Sequence, residues 1–439
     1  MMIRRINNIP FHAIATLLFF PLFLSAQEGS QPKKAVIESH YRDEIKALAE
    51  QNVIKSAFQT IIELEPETIK NLVTLTQIPA PPFKEQARAT QFRQMLQALG
   101  VDSVWVDQAG NVIGLRRGKS GKKTVVIEGH IDTVFPEGTD VTVKQKEDTL
   151  YAPGIGDDTR GLSILLTLVK SMNKVGLKTD ADILFIGTTG EEGLGDLRGV
   201  KQLFNSGLKI DSYISIDGES IANIVYGGVG SLRYRITYKG PGGHSYGAFG
   251  LANPHNALGR TIHYFINDAD AFTRQGIRTT YNVGVIGGGT SVNAIPFESW
   301  MEVDMRSESP ERLSGIDKLL QQAIQRGLQE ENAMKRSGID LMVDVRLVGD
   351  RPSGVQHSSL PLIQRAGASS LFFGETPELS IISTNANYPI SKNISAITIG
   401  RGGKSGGAHS LNEWWINDKG WLAIQYALLV LVSEAGLAR

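Results

Sequence analysis

The apolar positions of this chain follow two rhythms, one nested inside the other. Over residues 41–100 they recur at helical spacing, interrupted at Ile78-Pro79-Ala80-Pro81-Pro82, where the prolines impose a rigid turn. Short apolar runs at 124–127, 183–186 and 213–216 then alternate with helical stretches at 161–172 and 197–205. Strand and helix taking turns predicts an α/β layer with a mostly parallel sheet. The rhythm changes around Gly227-Gly228-Val229-Gly230. Residues 231–238 alternate like a half-exposed strand, and 254–269 fit a helix. Strands follow at 281–286 and 300–306, then a helix at 310–329 and a strand at 341–347. That βαββαβ order predicts a smaller α+β unit. The first rhythm returns with a strand at 396–399 and a helix at 421–435. The expected organisation is one α/β domain over 35–228 and 348–439, interrupted by an α+β insert over 229–347.

Residues 1–26 read differently. Arg4 and Arg5 form a basic head, residues 13–24 are almost wholly apolar, and Ser25-Ala26 supplies small residues before a polar stretch. This is the pattern of a secretory signal peptide and predicts export to a periplasm or beyond the cell. No later apolar stretch is long enough to span a bilayer. The sequence contains no cysteine, which excludes disulfides, thiolate ligands and a cysteine nucleophile. Lysine plus arginine equals aspartate plus glutamate at 45 each, and no basic stripe carries interleaved aromatics, so nothing points to nucleic acid. With 41% hydrophobic residues, the 439-residue chain can bury a substantial core.

Candidate chemistry sits where the strands end. The run 124–127 leads into Glu128-Gly129-His130-Ile131-Asp132, and 183–186 leads through Gly187-Thr188-Thr189-Gly190 into Glu191-Glu192. The run 213–216 ends at Asp217-Gly218, and the glycine-rich stretch 402–408 delivers His409 after the strand at 396–399. Gly154-Ile155-Gly156-Asp157-Asp158 stands directly before a helix, where one aspartate can cap while its neighbour faces a ligand. In open α/β sheets, ligands bind beyond the carboxyl ends of the strands. Adjacent acids such as Glu191 and Glu192 are costly to crowd unless cations or protons compensate them. Histidine with carboxylates suits zinc or a similar divalent ion. A phosphate loop and a His-Glu-x-x-His helix are both missing.

Gly129-His130-Ile131-Asp132, Gly156-Asp157-Asp158, Gly190-Glu191-Glu192-Gly193, Asp217-Gly218 and the late His409 together resemble the co-catalytic zinc exopeptidase and deacylase family of peptidase T, glutamate-releasing carboxypeptidases, acetylornithine deacetylase and succinyl-diaminopimelate desuccinylase. The resemblance spans nearly the whole chain after the leader. It implies two divalent ions, most readily zinc, with cobalt or manganese possible. His130 and Asp217 would hold one ion, Glu192 and His409 the other, and Asp157 would bridge them. Asp132 would orient His130. Glu191 would be the general base, taking a proton from the attacking water and returning it to the leaving amine.

The insert resembles that family's lid and dimerisation domain, which implies a possible homodimer. Within it, Gly240-Pro241-Gly242-Gly243-His244-Ser245 implies an oxyanion role for His244, often from the partner subunit, while Asn293 and Arg306 match positions that hold substrate. Asp217, together with the segment 243–250, tilts the expected substrate toward short peptides with a free N-terminus. N-acyl-amino-acid deacylase or carboxypeptidase-like hydrolysis is the alternative, and an inactive peptide-binding relative a second one. Asn385 stands where the family often has aspartate, which bears on how a substrate terminus is recognised.

Overall fold

The computed structural model describes residues 32–438, so the signal peptide expected over 1–26 lies outside the described residues. A ten-stranded sheet forms its centre. Four parallel strands make the middle, in the order Ser395–Gly400, Ser212–Gly218, Thr124–His130 and Asp182–Thr188. Antiparallel strands Val112–Arg116 and Ser103–Val106 extend one side. Asn223–Gly228, Glu378–Ile382 and Lys33–Lys34 extend the other. The sheet is therefore parallel through the middle, where crossover helices cover both faces, and again between Asn223–Gly228 and Glu378–Ile382.

Residue type explains that burial. Thr124–His130 and Asp182–Thr188 are buried at every position after the first, as strands covered on both faces must be. Val125, Ile127, Ile183 and Phe185 face one core with the helices Thr159–Lys174 and Gly420–Ala435. Val126, Leu184 and Ile186 face a second core with Val200 and Leu203 of the helix Arg198–Asn205. Each such aliphatic side chain contributes about 1.5–3 kcal/mol by leaving water. Together these cores hold the strand ends at one edge of the layer.

The insert has its own core. Its four-stranded antiparallel sheet runs Thr279–Gly288, Glu298–Ser307, Gly230–Lys239, Met342–Arg351. Glu298–Ser307 alternates half-buried and buried residues without a break, since one face meets the helices and the other does not. The helices Pro254–Thr273 and Pro310–Met334 both start with proline behind a capping side chain. Asn253 accepts from the His255 N–H and Ser309 from the Arg312 N–H. Phe265, Leu320 and Ile324 from these helices pack on Ile236, Met301 and Val303 of the sheet. The order βαββαβ is the one the alternating pattern predicts.

A third, small antiparallel sheet joins Lys144–Lys146, Thr149–Tyr151, Trp414–Ile416 and Lys404–Gly406. It draws the loop before His409 toward the loop before Asp157. Among the described residues, no helix is long and apolar enough to cross a membrane.

Candidate active site

The four central strands end side by side, and their polar termini converge. His130 closes Thr124–His130, while Asp217 is the penultimate residue of Ser212–Gly218. Glu191 and Glu192 follow Asp182–Thr188 after a turn at Gly190, whose φ of +69° suits glycine. Asp157 precedes the helix Thr159–Lys174, and His409 sits beyond Lys404–Gly406.

The two neighbouring aspartates have separate tasks. Asp158 is wholly buried and caps the helix: its carboxylate accepts from the Gly161 N–H at 3.1 Å and the His130 N–H at 2.9 Å. Asp157 faces the cleft. Its Oδ1 is 3.0 Å from His130 Nε2 and its Oδ2 is 3.2 Å from His409 Nε2. Asp217 Oδ1 lies 3.8 Å from His130 Nε2, and Glu192 Oε1 lies 2.9 Å from His409 Nε2.

Asp132 serves the site in two ways. Its main-chain carbonyl accepts from His130 Nδ1 at 2.9 Å, which leaves Nε2 facing Asp157 and Asp217. Its carboxylate accepts the Glu191 N–H at 3.1 Å and the Glu192 N–H at 2.8 Å, fixing the backbone of both acids. Glu191 Oε1 is 3.1 Å from Arg351 Nη1, and the Glu191 carboxylate also lies within 4.8 Å of ligand atoms of His130 and Glu192.

Three overlapping sets of donor atoms result, each within 4.8 Å of one another: Asp157 with Glu192 and His409, His130 with Asp158 and Asp217, and His130 with Glu191 and Glu192. Asp157 Oδ1 reaches His130 Nε2 as well, so it stands between the first two sets. The electrostatics fit cations. Burial and the negative charge of Asp157 push Asp217 well above the usual carboxylate range. Burial, with the charges of Asp157 and Glu191, pushes Glu192 up to about 7. Hydrogen bonds to Asp157 and Glu192 raise His409 to about 11. Ring nitrogens within hydrogen-bond reach of carboxylate oxygens, with His130 buried and His409 exposed, suit divalent ions, which would displace the protons the cluster otherwise holds. The donors are those zinc, cobalt or manganese accept.

The cleft around this cluster has a volume of about 650 Å³. Arg306 lines it together with Arg233, Arg351 and Arg401. His244 and Asn293 do not line it. They lie together past the distal end of Gly230–Lys239, where His244 is exposed and the Ser245 N–H donates to the Asn293 carbonyl at 2.9 Å. Asn385 lies inside the sheet layer, 1% exposed, donating to Glu128 Oε2 at 3.2 Å and to Thr188 Oγ1 at 2.9 Å. It contacts the underside of the site strands, where a substrate terminus does not reach.

Three participants escape a reading of the sequence. Arg401 follows the strand Ser395–Gly400 and places Nη1 3.0 Å from Asp157 Oδ1 and 3.3 Å from Asp217 Oδ1. The strand-end rule that marks His130 and Asp217 also marks this position. Arg351 is the second. The third, Glu413, is buried, and its carboxylate accepts the N–H groups of Gly154 at 2.7 Å, Gly156 at 2.8 Å and Asp157 at 2.9 Å. It shapes the loop that presents Asp157. Glu413→Ala leaves three main-chain donors without their acceptor and is expected to lower the unfolding free energy by about 3 kcal/mol. Metal affinity should fall about tenfold or more, as it does when groups behind a ligand are lost. Urea unfolding and a metal titration check both, and unchanged values would remove Glu413 from this role.

Residues 126–432 match the family described as Peptidase family M20/M25/M40. The chain is 25% identical over 349 residues to the acetylornithine deacetylase of Myxococcus xanthus, covering 73% of this chain and 88% of that protein. It is 24% identical over 288 residues to carboxypeptidase G2 of Pseudomonas sp. (strain RS-16), covering 61% of this chain and 66% of that one. A tripeptidase from Staphylococcus aureus subsp. aureus Mu50 shares the fold, with a TM-score of 0.68 at 21% identity over 84% of this chain and 98% of the other.

Proposed function

This chain belongs to Peptidase family M20/M25/M40 and is a metal-dependent hydrolase, and from that premise we propose that it cleaves the amide bond next to a free carboxylate. Its substrates are then N-acylated amino acids or the C-terminal residues of short peptides. One observation carries this preference: Arg233 and Arg306 line the same cleft as the metal-ligating groups. Guanidinium forks match carboxylates in geometry and charge. The lean toward free N-termini draws on Asp217, which lines the cleft, and on the segment 243–250, no residue of which does. The deacylase and the carboxypeptidase among its relatives support the same choice.

His130, Asp157, Glu192, Asp217 and His409 would hold two divalent ions, most suitably zinc. Bound ions of this kind supply positive charge that makes water more acidic and stabilises a negative substrate oxygen. The remaining work falls to the chain. Glu191 takes a proton from the attacking water and returns it to the leaving nitrogen. Asp132 holds the backbone of Glu191 and Glu192 in register, and Arg306 with Arg233 orients the carboxylate. His244 and Asn293 reach a substrate only from a second copy, so they act in a homodimer. The outer lid strand Thr279–Gly288, with exposed Val285 and Ile286, offers an edge for such pairing. Export through the N-terminal leader places the activity in the periplasm or outside the cell.

An activity screen of the zinc-loaded mature protein tests this. N-acetylated and N-succinylated amino acids are expected to be cleaved faster than free-amine di- and tripeptides, and amidation of the substrate carboxylate should suppress cleavage. Equal turnover of C-terminally amidated, free-amine peptides would return the function to an aminopeptidase.

A further inference from the structure

The loop that carries Glu191 is held from two sides. Asp132, on the α/β domain, fixes the N–H groups of Glu191 and Glu192. The other attachments come from the lid. Arg233 Nη1 donates to the Gly193 carbonyl at 2.8 Å, and the Asp350 N–H donates to Asp196 Oδ1 at 2.7 Å. Lys201 Nζ bridges Asp196 Oδ2 at 2.6 Å and the Asp350 carbonyl at 2.8 Å. Arg351 is the last residue of the lid strand Met342–Arg351, where the chain returns to the α/β domain. Its Nη1 contacts Glu191 Oε1 and Ser383 Oγ, each at 3.1 Å, and Nη2 donates to the Glu191 carbonyl.

We infer that Arg351 is a positioning residue that sets the orientation of the Glu191 carboxylate and ties it to the placement of the lid. Burial makes this more than a surface ion pair. Both side chains are 7% exposed, and Arg351 Nε has no hydrogen-bond partner among the described residues. An incompletely satisfied buried guanidinium is a poor way to gain stability, because desolvation offsets most of the attraction. It is well suited to holding one carboxylate oxygen in a set direction while the other stays available to a proton. Since the guanidinium is anchored on the lid's last strand, a shift of that strand against the central sheet moves Arg351 and releases Glu191. The base is aligned only when the lid is seated.

The inference rests on Glu191 as the general base, so the experiment separates the two. Arg351→Met, Arg351→Lys, Glu191→Gln and the Arg351→Met/Glu191→Gln double variant are assayed as metal-loaded full-length protein. Asp196→Ala is added as a variant that loosens the same lid-to-loop attachment without altering either charge of the pair. Arg351→Met is expected to lower kcat about 30–100-fold, within the range of general-base contributions, with metal content retained and KM changed less than about threefold. Arg351→Lys should recover part of that loss, and Asp196→Ala should lower kcat several-fold. In the Glu191→Gln background, Arg351→Met should add less than about a twofold loss, because neighbours acting through one group are not additive. A kcat for Arg351→Met within threefold of the parent overturns the inference while leaving Glu191 in its role. So does a loss that appears wholly in KM, which would make Arg351 a substrate contact, and so does a full additional loss in the double variant. An active Glu191→Gln variant overturns the general-base assignment, and this inference with it.

Discussion

Glu191→Gln is expected to lower turnover by about 10²–10⁴-fold, the share a well-placed general base contributes. The substitution keeps the size of the side chain and an oxygen able to meet Arg351 Nη1, now at 3.1 Å. It also leaves untouched the main-chain N–H that Asp132 accepts. What it removes is the ability to take a proton and give it back. Bound metal should therefore stay near two ions per chain, and KM should change little. The informative comparison is kcat beside metal content on the same preparation. Turnover at the parent rate would transfer the proton to another group. Loss of both metal and turnover would make Glu191 a ligand instead. Its hydrogen bond to Arg351 favours the first role, while its place within 4.8 Å of ligand atoms of His130 and Glu192 makes the metal count the deciding measurement.

Removal of divalent ions should abolish hydrolysis and lower the melting temperature together. The cluster crowds Asp157, Glu192 and Asp217 around two imidazoles, with Arg401 as the one guanidinium touching both Asp157 and Asp217 among the described residues. An ion that binds only the folded state stabilises it by about 4 kcal/mol at a thousandfold excess over its Kd. Two filled sites would then correspond to a fall of about 10 °C on chelation for a chain of this length. Thermal unfolding with and without chelator, followed by re-addition of zinc, cobalt or manganese, measures both effects. Full activity in protein shown to be free of metal would remove the metal-dependent chemistry altogether.

How much of this was legible in the chain varies by element. The inner strands and the lid announced themselves because a strand covered on both faces is apolar throughout and one covered on a single face alternates. The edge strands Ser103–Val106, Asn223–Gly228 and Glu378–Ile382 carry no such mark, being short, partly exposed or broken by glycine. The helix Pro361–Phe372 was also silent. Its Ala366-Gly367-Ala368-Ser369-Ser370 run is buried among small residues, so no polar face sets a period. Asn385, legible only as a departure from a family pattern, proves to be a buried partner of Glu128 and Thr188.

By itself the sequence determined which residues stand at the ends of the apolar strands: His130, Glu191, Glu192 and Asp217, with His409 after a glycine-rich run. That information is local, because residue identity and strand period lie within a few positions of each other. Only the tertiary structure decided that Asp158 caps the helix while Asp157 faces the histidines, and that His244 and Asn293 lie away from the cluster in this chain. It also brought in Glu413, Arg401 and Arg351. Glu413 meets the Asp157 loop from 256 residues away, Arg401 meets Asp157 from 244, and Arg351 meets Glu191 from 160. No period or motif spans such separations; the packing of sheet, lid and small third sheet does, and it turns a row of strand ends into a site.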